Sequence, residues 1–572
     1  MQAGPLYRLV AINCRYSHTC LALLYLRQAL EENCSGIRLD MMALTINDPY
    51  YPSLQRILAG DPAALFFSAY IWNGEYIARL TGDIARIRPE MPLVIGGPQA
   101  ERLGSLPGSC TIVSGEIEGL APGFYADLAN DRLGPRYTGL PGLDFPSPYR
   151  HEDFLTLLKN RQILYESSRG CPFSCAYCLS ASSKGLRHKP VRQVEEEMGL
   201  ILAARPPLVK FVDRTFNDNP ERALAIWQML VEKGAGTRFH FEVAPDRFTQ
   251  EQLAFLATVP VGLFQFEIGI QSTAAHTLAA VNRRMDVDRA LAAISRLREM
   301  ENIHLHVDLI LGLPEDTGED FADSFRAVFA IRPHHIQMGL LKVLPATPLA
   351  GQVERYGIIF CHHPPHEVLA TRTMSAPTLA RLHLFGECVE RFYNNRYFPS
   401  LWRYLQGVEK DMFAFFSKLL TLCKQSDFFT QAPTQKRLVE ELAHLCKRRP
   451  DWELIRELLV FDWLRCGHRF LPECLSRENL ARIRNRARRY LPEEYPDLYT
   501  ARTRNSFFKH TLFYPVSASA GAILGLENFS RGVLVGFLAN SENGLYGLRA
   551  IVSLPMESCN FSQPAKAHFV VD

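Results

Sequence analysis

Two successive runs of alternating strand-like and helix-like segments constrain this chain more than any other feature. In the first run, "LYRLVAI" (Leu6–Ile12) reads as a buried strand and "LALLYLRQALEE" (Leu21–Glu32) as a helix with apolar periodicity. The strands continue with "IRLDMMAL", "ALFFSAY" (Ala64–Tyr70), "PLVIGG" (Pro92–Gly97) and "CTIVSGE" (Cys110–Glu116). The helix "NGEYIARLTGDIARIRP" falls between the third and fourth and is closed by Pro89. Strands interleaved with helices predict a parallel, doubly wound α/β sheet. Such sheets take ligands at the carboxyl ends of their strands. Those ends are Asn13–His18, Ser68–Asn73, Gly96–Gln99 and Gly115–Glu118. The Pro- and Gly-rich stretch "RYTGLPGLDFPSPY" then reads as a linker.

The second run begins with "ILYES" (Ile163–Ser167) and continues through "LVKFVD", "RFHFEVA", "LFQFEIGI", "IHLHVDLILGL" and "HIQMGLLKVL", with helices between them. Six β/α units fit a parallel barrel or partial barrel, where chemistry gathers at the C-terminal ends of the strands. After Pro348 the pattern changes to mostly helical segments, with short strand-like runs such as "RGVLVGFLA" and "LYGLRAIVSL" near the end. The expected division is 1–135, a linker at 136–160, a barrel at 161–348 and a mainly helical region at 349–572.

With 47% hydrophobic and 22% charged residues in 572, the chain has the composition of a globular protein with real cores. A net charge of +3 is near neutral for this length, which gives no ground to expect a nucleic-acid partner. No apolar run reaches the roughly 18 residues of a membrane span, and the N-terminal apolar run is too short for a signal peptide. The expected location is cytoplasmic. In a reducing compartment, Cys20, Cys388, Cys423 and Cys446 read as small core hydrophobes.

That reading fails for one segment, "SSRGCPFSCAYCLSASS" (Ser167–Ser183). Cys171, Cys175 and Cys178 share one loop at the carboxyl end of the first barrel strand, spaced Cys-x3-Cys-x2-Cys. Three close thiolates bind zinc or an iron–sulfur cluster. A structural zinc wants four ligands in paired hooks, and no fourth Cys or His follows at hook spacing. His188 comes ten residues later and alone. Three ligands on a four-iron cluster leave one iron open to a substrate or cofactor.

At these residues the chain resembles the radical S-adenosylmethionine (SAM) superfamily, whose signature has this spacing and an aromatic residue before the third cysteine, here Tyr177. "FVDRTFN" (Phe211–Asn217), "FEVAPD" (Phe241–Asp246), "FEIGIQS" (Phe266–Ser272) and "VDLILGLPEDT" (Val307–Thr317) also resemble that family, in order, at consecutive strand ends. The resemblance covers about residues 160–348 and implies a [4Fe-4S] cluster on Cys171, Cys175 and Cys178 with SAM on its open iron. Upstream, "NCRYSH", "GGPQA" (Gly96–Ala100) and "SGEIEG" (Ser114–Gly119) resemble the cobalamin-binding, Rossmann-like module of one branch of the superfamily. There Asn13, His18, Ser68, Gly96, Gly97, Gly115 and Glu116 are the expected cofactor-facing residues. The chain lacks the Asp-x-His-x-x-Gly motif, so no lower histidine ligand is implied. The helical region after the barrel resembles a C-terminal extension of some members.

In this reading Tyr177 lines the adenine site. Asp213, Glu242, Glu267 and Gln271 lie near strand ends facing the barrel mouth, toward ribose, methionine or substrate. Each reads equally as a polar barrel layer paired with Lys or Arg. Gly312 permits close backbone approach. His304 and His306 read as structural histidines, and the basic helix at Arg477–Pro492 as a solvated face.

The resemblance implies a cobalamin-dependent radical SAM enzyme. A 5′-deoxyadenosyl radical would activate an unactivated carbon of a small-molecule or peptide substrate, and methylcobalamin would methylate it. An electron donor such as flavodoxin or ferredoxin would reduce the cluster. Three alternatives stay open. One is a methylthiotransferase with a second cluster drawn from Cys14, Cys20, Cys34 or Cys110. Another is a non-methylating rearrangement or cyclisation enzyme, and the last a zinc-bound scaffold without catalysis.

Overall fold

The computed structural model describes residues 4–490, 503–526, 532–538, 551–555 and 569–570, apart from 105, 143, 183–184, 235 and 478. The run "LYGLRA" and part of the basic helix therefore lie outside the described residues. The chain divides into two compact units, 1–317 with 340–376, and 318–339 with 377–572. Among the described residues no helix is long and apolar enough to cross a membrane.

The first unit opens with β1 (Leu6–Asn13), α1 (Leu21–Asn33), β2 (Arg38–Thr45), α2 (Tyr50–Leu58), β3 (Ala64–Ser68), α3 (Gly74–Ile87), β4 (Leu93–Gly96), β5 (Cys110–Gly115), α4 (Pro122–Ala129) and β6 (Arg136–Gly139). These six strands form one parallel sheet in the order β2-β1-β3-β4-β5-β6. The strands are apolar on both faces because helices cover both. Val10, Ile12, Leu65, Phe67, Leu93 and Ile95 pack with Ile77, Leu80 and Ile84 of α3 on one side. Leu9, Ala11, Phe66, Val94 and Val113 pack with Leu23, Leu26 and Leu30 of α1 and Phe124 and Leu128 of α4 on the other. The chain reverses direction across the sheet between β1 and β3, the switch point where a crevice opens.

One boundary differs from expectation. The sheet does not end at residue 135, because Arg136–Gly139 pairs with β5 as a sixth strand. The stretch after it is anchored as well. Phe145 is buried, and Arg27 of α1 donates to Asp153 at 2.7 Å and to the Pro148 carbonyl at 2.9 Å.

After α5 (His151–Leu155) come β7 (Ile163–Tyr165), the two-residue strands β8 (Ser168–Arg169) and β9 (Arg187–His188), and α6 (Val191–Ala203). Then follow β10 (Leu208–Phe211), α7 (Pro220–Lys233), β11 (Arg238–Val243), α8 (Gln250–Leu256), β12 (Phe264–Gln271), α9 (Ala275–Ala280), α10 (Val287–Glu299) and β13 (His304–Leu311). β7, β10, β11, β12 and β13 are parallel and adjacent in chain order, as a partial barrel requires. Caps match the sequence: Asn219 accepts from Arg222 N ahead of Pro220, and Thr249 with Gln252 forms a capping box. β12 and β13 alternate strictly between buried and half-buried residues. The buried side carries aromatic packing, with Phe241 4.8 Å from Phe211 and Trp227 5.6 Å from Phe266. The other side is polar.

The chain passes to the second unit for most of the sixth step, α11 (Gly318–Ile331) and β14 (His335–Leu340), and returns for a small hairpin at Ile359–Phe360 and Val368–Ala370. The rest of the second unit is helical from Ala376 to Arg465, followed by antiparallel strands that include Thr511–Val516 and Val533–Leu538. Its core is aromatic, with Phe325 of α11 4.9 Å from Phe385 and Trp402 5.1 Å from Phe416. Asp462, fully buried, accepts from the backbone of Ser400 and Leu401 at 3.1 and 3.2 Å, and burial pushes its carboxyl up to about 7.

Candidate functional site

The three cysteines lie in a loop whose ends are pinned as a hairpin. β8 pairs antiparallel with β9, Ser168 opposite His188 and Arg169 opposite Arg187. Gly170 has φ +95°, and a Cβ there would collide with the Gly185 carbonyl, so the neck closes only with glycine. Within the loop, Ala176 donates its N–H to Val281 O at 2.8 Å. Asn282 donates to Ser174 O at 3.0 Å and to its Oγ at 2.7 Å. The loop is thus fixed at its neck and at its far side.

Cys175 is buried, while Cys171 and Cys178 are half-buried. The Cys171 sulfur lies 3.6 Å from Thr215 Oγ1, in the turn after β10. Arg283 sits 3.7 Å from Cys175 Sγ and 3.5 Å from the Tyr177 hydroxyl, and also donates to Gly269 O. Burial pushes the Cys175 thiol up, and the Arg283 guanidinium opposes that. Burial likewise raises the Tyr177 hydroxyl. Among the described residues, no three His, Cys, Asp or Glu side chains stand close enough to share a single metal ion, the triplet included. A four-iron cluster is a larger body, and thiols spread around one pinned loop beside the half-buried Arg283 cation suit its size and its negative charge. The donor set therefore fits a cluster.

The acids predicted at the mouth separate into two kinds. Asp213 does not face the mouth. It is fully buried and accepts from Ser167 N at 3.1 Å, Ser167 Oγ at 2.6 Å and Ser168 Oγ at 2.5 Å. Burial raises its pKa, with the two serines and Arg222 pulling it back. Its carboxylate ties the strand that feeds the cysteine loop.

Glu242 and Glu267 do line the polar side, together with Lys210, His240 and Asp308. Lys210 Nζ donates to Glu267 at 3.1 Å and lies 3.9 Å from Glu242; His240 Nε2 donates to Glu267 at 2.9 Å. The His240 hydrogen bond, with Lys210 beside it, holds Glu267 down to about 2. Glu267 thus sits in the paired polar layer. Glu242 is shifted upward by burial, against Arg214 and Lys210. Asp308 is driven well up by burial and by the nearby Glu267 and Glu242, and its Oδ1 is buried without a hydrogen-bond partner.

Gln271 has φ +70° at the end of β12, where the register with β13 shifts. Its Oε1 is also buried without a partner, and its amide folds over Gly269, where a Cβ would collide. Gly312, at φ +82°, turns the chain at the end of β13. The mouth thus offers two unspent acceptors, Asp308 and Gln271, beside the Arg283 cation. Arg283, Asp308 and Lys210 were absent from the sequence expectations. Nothing local marks them, since each acquires its meaning from a strand or loop far away in sequence.

In the first sheet, the 13–18 and 68–73 segments follow the adjacent strands β1 and β3. Asn13 Nδ2 donates to His18 O at 3.1 Å, and His18 Nδ1 lies 3.0 Å from Cys14 Sγ. Burial, then Arg15 and Lys210, lower the His18 pKa, so the 13–18 loop shares an electrostatic neighbourhood with the polar side of β10. Arg161 holds that loop by donating to Tyr16 O at 2.5 Å and His18 O at 2.9 Å. Past Ser68, Tyr70 and Trp72 stack at 4.5 Å, with Trp72 47% exposed. Asn73 ties this turn down through Ile12 O, Ser68 O and Tyr70 N. These flat faces at the crevice suit a planar ring.

Gly96 precedes Gly97, which has φ +95° and would place a Cβ 2.5 Å from Ala69 O. Gly97→Ala is expected to cost about 1–3 kcal/mol, read as an earlier denaturation midpoint. Gly115 and Glu116 depart from their expected cradle role. A Cβ at Gly115 would collide with Gly139 O, and the Glu116 carboxylate is taken up by Arg169 and Arg187. The N-terminal cysteines do not gather either. Cys14 and Cys20 lie at the carboxyl edge of the first sheet, whereas Cys34 precedes β2 and Cys110 opens β5, both at its amino edge.

Residues 165–328 match the radical SAM superfamily, and residues 354–517 match a protein family of unknown function, DUF4080. Over 351 residues the chain is 26% identical to 2-(S-pantetheinyl)-carbapenam-3-carboxylate methyltransferase of Streptantibioticus cattleyicolor, covering 53% of this chain and 51% of that protein. It is 25% identical over 341 residues to the cobalamin-dependent radical SAM methyltransferase TokK of Streptomyces tokunonensis, covering 52% and 50%. The chain thus spans about half the length of the curated relatives it matches. The solved structure of the cobalamin-dependent S-adenosylmethionine radical enzyme OxsB with aqua-cobalamin bound shares the fold, with TM-score 0.55 and 14% identity over 80% of each chain. The chain carries a radical SAM domain at residues 165–328 and is a relative of the cobalamin-dependent radical SAM methyltransferases.

Proposed function

We propose that this chain is a cobalamin-dependent radical SAM enzyme that methylates an unactivated carbon of a small-molecule or peptide substrate. The observation that carries the reading is the cysteine loop: three thiols on a pinned hairpin at the mouth of a partial barrel. Cys171, Cys175 and Cys178 are the residues that would hold a [4Fe-4S] cluster. When bound, the cluster with SAM and cobalamin supplies one-electron chemistry and methyl transfer.

The chain's own residues position and shield. Arg283 sets a positive charge beside Cys175 and holds the Tyr177 hydroxyl next to it. The free acceptors of Asp308 and Gln271 suit the ammonium and hydroxyl donors of SAM, and Arg283 suits its carboxylate. Glu242 lines the same mouth. The crevice between β1 and β3, with Asn13, His18, Ser68 and the Tyr70–Trp72 stack, suits the corrin ring, and Gly96 and Gly97 bring the backbone of β4 close beside it. A flavodoxin- or ferredoxin-like donor would supply the electron. The domain limits that follow are a first sheet closing at Gly139, a barrel over 161–348, and an extension beyond it.

Anaerobic reconstitution with iron, sulfide and hydroxocobalamin tests this. About four irons per chain, corrinoid absorbance that survives gel filtration, and 5′-deoxyadenosine formed from SAM are expected. About eight irons per chain would instead indicate a second cluster. Loss of all corrinoid would remove the cobalamin half of the reading, and absence of iron would remove the whole.

A further inference from the structure

The neck of the cysteine hairpin poses an electrostatic problem. Arg169 and Arg187 stand directly opposite each other on β8 and β9. Like charges at facing positions of antiparallel strands repel, and here both side chains are largely buried, 13% and 22% exposed, so salt does little to screen them. The two-residue ladder cannot hold such a neck shut by itself.

Glu116 resolves the conflict from a different part of the chain. Arg169 Nη1 donates to Glu116 Oε2 at 2.8 Å. Arg187 donates to the same oxygen at 3.2 Å and to Oε1 as well. Desolvation works against the charge on Glu116, yet the two arginines hold its pKa below the usual carboxylate range. Arg169 is further fixed by Glu118 at 2.7 Å and Glu166 at 2.9 Å, and its guanidinium lies over Tyr25 and Phe145.

The loop that presents Glu116 is itself rigid. A Cβ at Gly115, Gly119 or Gly139 would collide with the backbone of Gly139, Leu140 or Glu116 respectively. Glu116 N donates to Gly139 O at 3.3 Å, and Leu140 N to Gly119 O at 3.1 Å. The glycines of "SGEIEG" are therefore spent on backbone-to-backbone packing against β6, and that packing aims the carboxylate.

We infer that Glu116 is a positioning residue for the cysteine loop: a carboxylate at the ligand edge of the first sheet clamps the two arginines that close the hairpin, and so sets the register of the three thiols. The inference rests on the cluster reading of that loop. It also means that a shift of the β5–β6 edge is transmitted to the thiols through one side chain.

The test uses the full chain in two states. In the reduced, metal-free protein, N-ethylmaleimide labelling is followed peptide by peptide. Glu116→Ala is expected to label Cys171, Cys175 and Cys178 at least about tenfold faster than the parent chain. Cys110, buried in β5, should stay protected and reports that the first sheet is intact. In the reconstituted protein, the same substitution is expected to lower retained iron at least about twofold and to broaden the electron paramagnetic resonance signal of the reduced cluster. Should Cys110 become labelled as quickly as the triplet, Glu116→Gln is read in its place. It keeps the shape but lacks the charge that two guanidiniums need, and should give the same selective labelling. Parent-like labelling of all three cysteines, with parent-like iron and signal, overturns the inference. A parent chain that takes up no iron would instead overturn the cluster reading, while the labelling arm still decides the clamp.

Discussion

Cys175→Ala is expected to reduce the iron retained after anaerobic reconstitution from about four per chain to below about one, with loss of the charge-transfer absorbance near the visible. A cluster on three protein thiolates has no spare ligand. Cys175 is also the most enclosed of the three, 5% exposed, with its sulfur beside Arg283. Removing it leaves the guanidinium without its sulfur partner. Cys175→Ser tests the distinction between a ligand and a packing group: serine keeps the volume and a weak acceptor but cannot supply a thiolate. Equal iron loss in both variants supports ligation, whereas a serine variant that keeps its iron would count against it. Cys110→Ala, in the first sheet, serves as the comparison and is expected to keep its iron.

Asp213→Ala is expected to destabilise the first unit by about 3–5 kcal/mol, the scale for removing one member of a buried charged network. The side chain is fully buried, takes three hydrogen bonds from Ser167 and Ser168, and offsets the charge of Arg222. Arg222 itself donates to Ser167 O at 2.8 Å and Lys189 O at 3.2 Å, on the two sides of the cysteine hairpin. Losing Asp213 therefore leaves two serine hydroxyls and one backbone N–H without their acceptor, and Arg222 without the carboxylate that offsets its charge. Denaturant titration gives the stability change, and iron content measured well below the transition shows whether the loop also loses its cofactor. A midpoint within about 0.5 kcal/mol of the parent would reassign Asp213 to an incidental place in the fold.

Most of the architecture is legible because the strands are short apolar runs and helices such as Pro220–Lys233 and Gln250–Leu256 carry side-chain caps. The sixth strand of the first sheet was not, since "RYTG" is four residues long, half exposed and flanked by Pro135 and the Leu140–Pro141 turn. Composition there favours a linker, and only the pairing with Ile112–Gly115 makes it a strand. The cysteine triplet is legible because its meaning lies in local spacing. Arg283 is not, because its meaning lies in reaching Cys175 from 108 residues away. Glu116 illustrates the same limit: its motif of glycines and acids suggests a cofactor cradle, but the partners that claim the carboxylate arrive 53 and 71 residues later. Asp213 and Glu267 both read from the sequence as acids near strand ends, although Glu267 lies midway along β12. Only the hydrogen-bond partners separate the one that braces the loop from the one that lines the interior.

The division of the chain has a consequence for biosynthesis. The second unit takes its first piece, Gly318–Gly339, from the middle of the chain and the remainder from beyond Ala376. Residues up to Thr317 make up most of the first unit, which is completed only when 340–376 has been made at roughly 5–20 residues per second. The helix and strand of 318–339 must then wait for partners that have not yet been made. Phe325 and Phe329, which end up in an aromatic core with Phe385 and Phe416, are exposed during that interval. The nascent chain is therefore most vulnerable to chaperones, proteases and self-association after the first sheet and most of the barrel strands have been made.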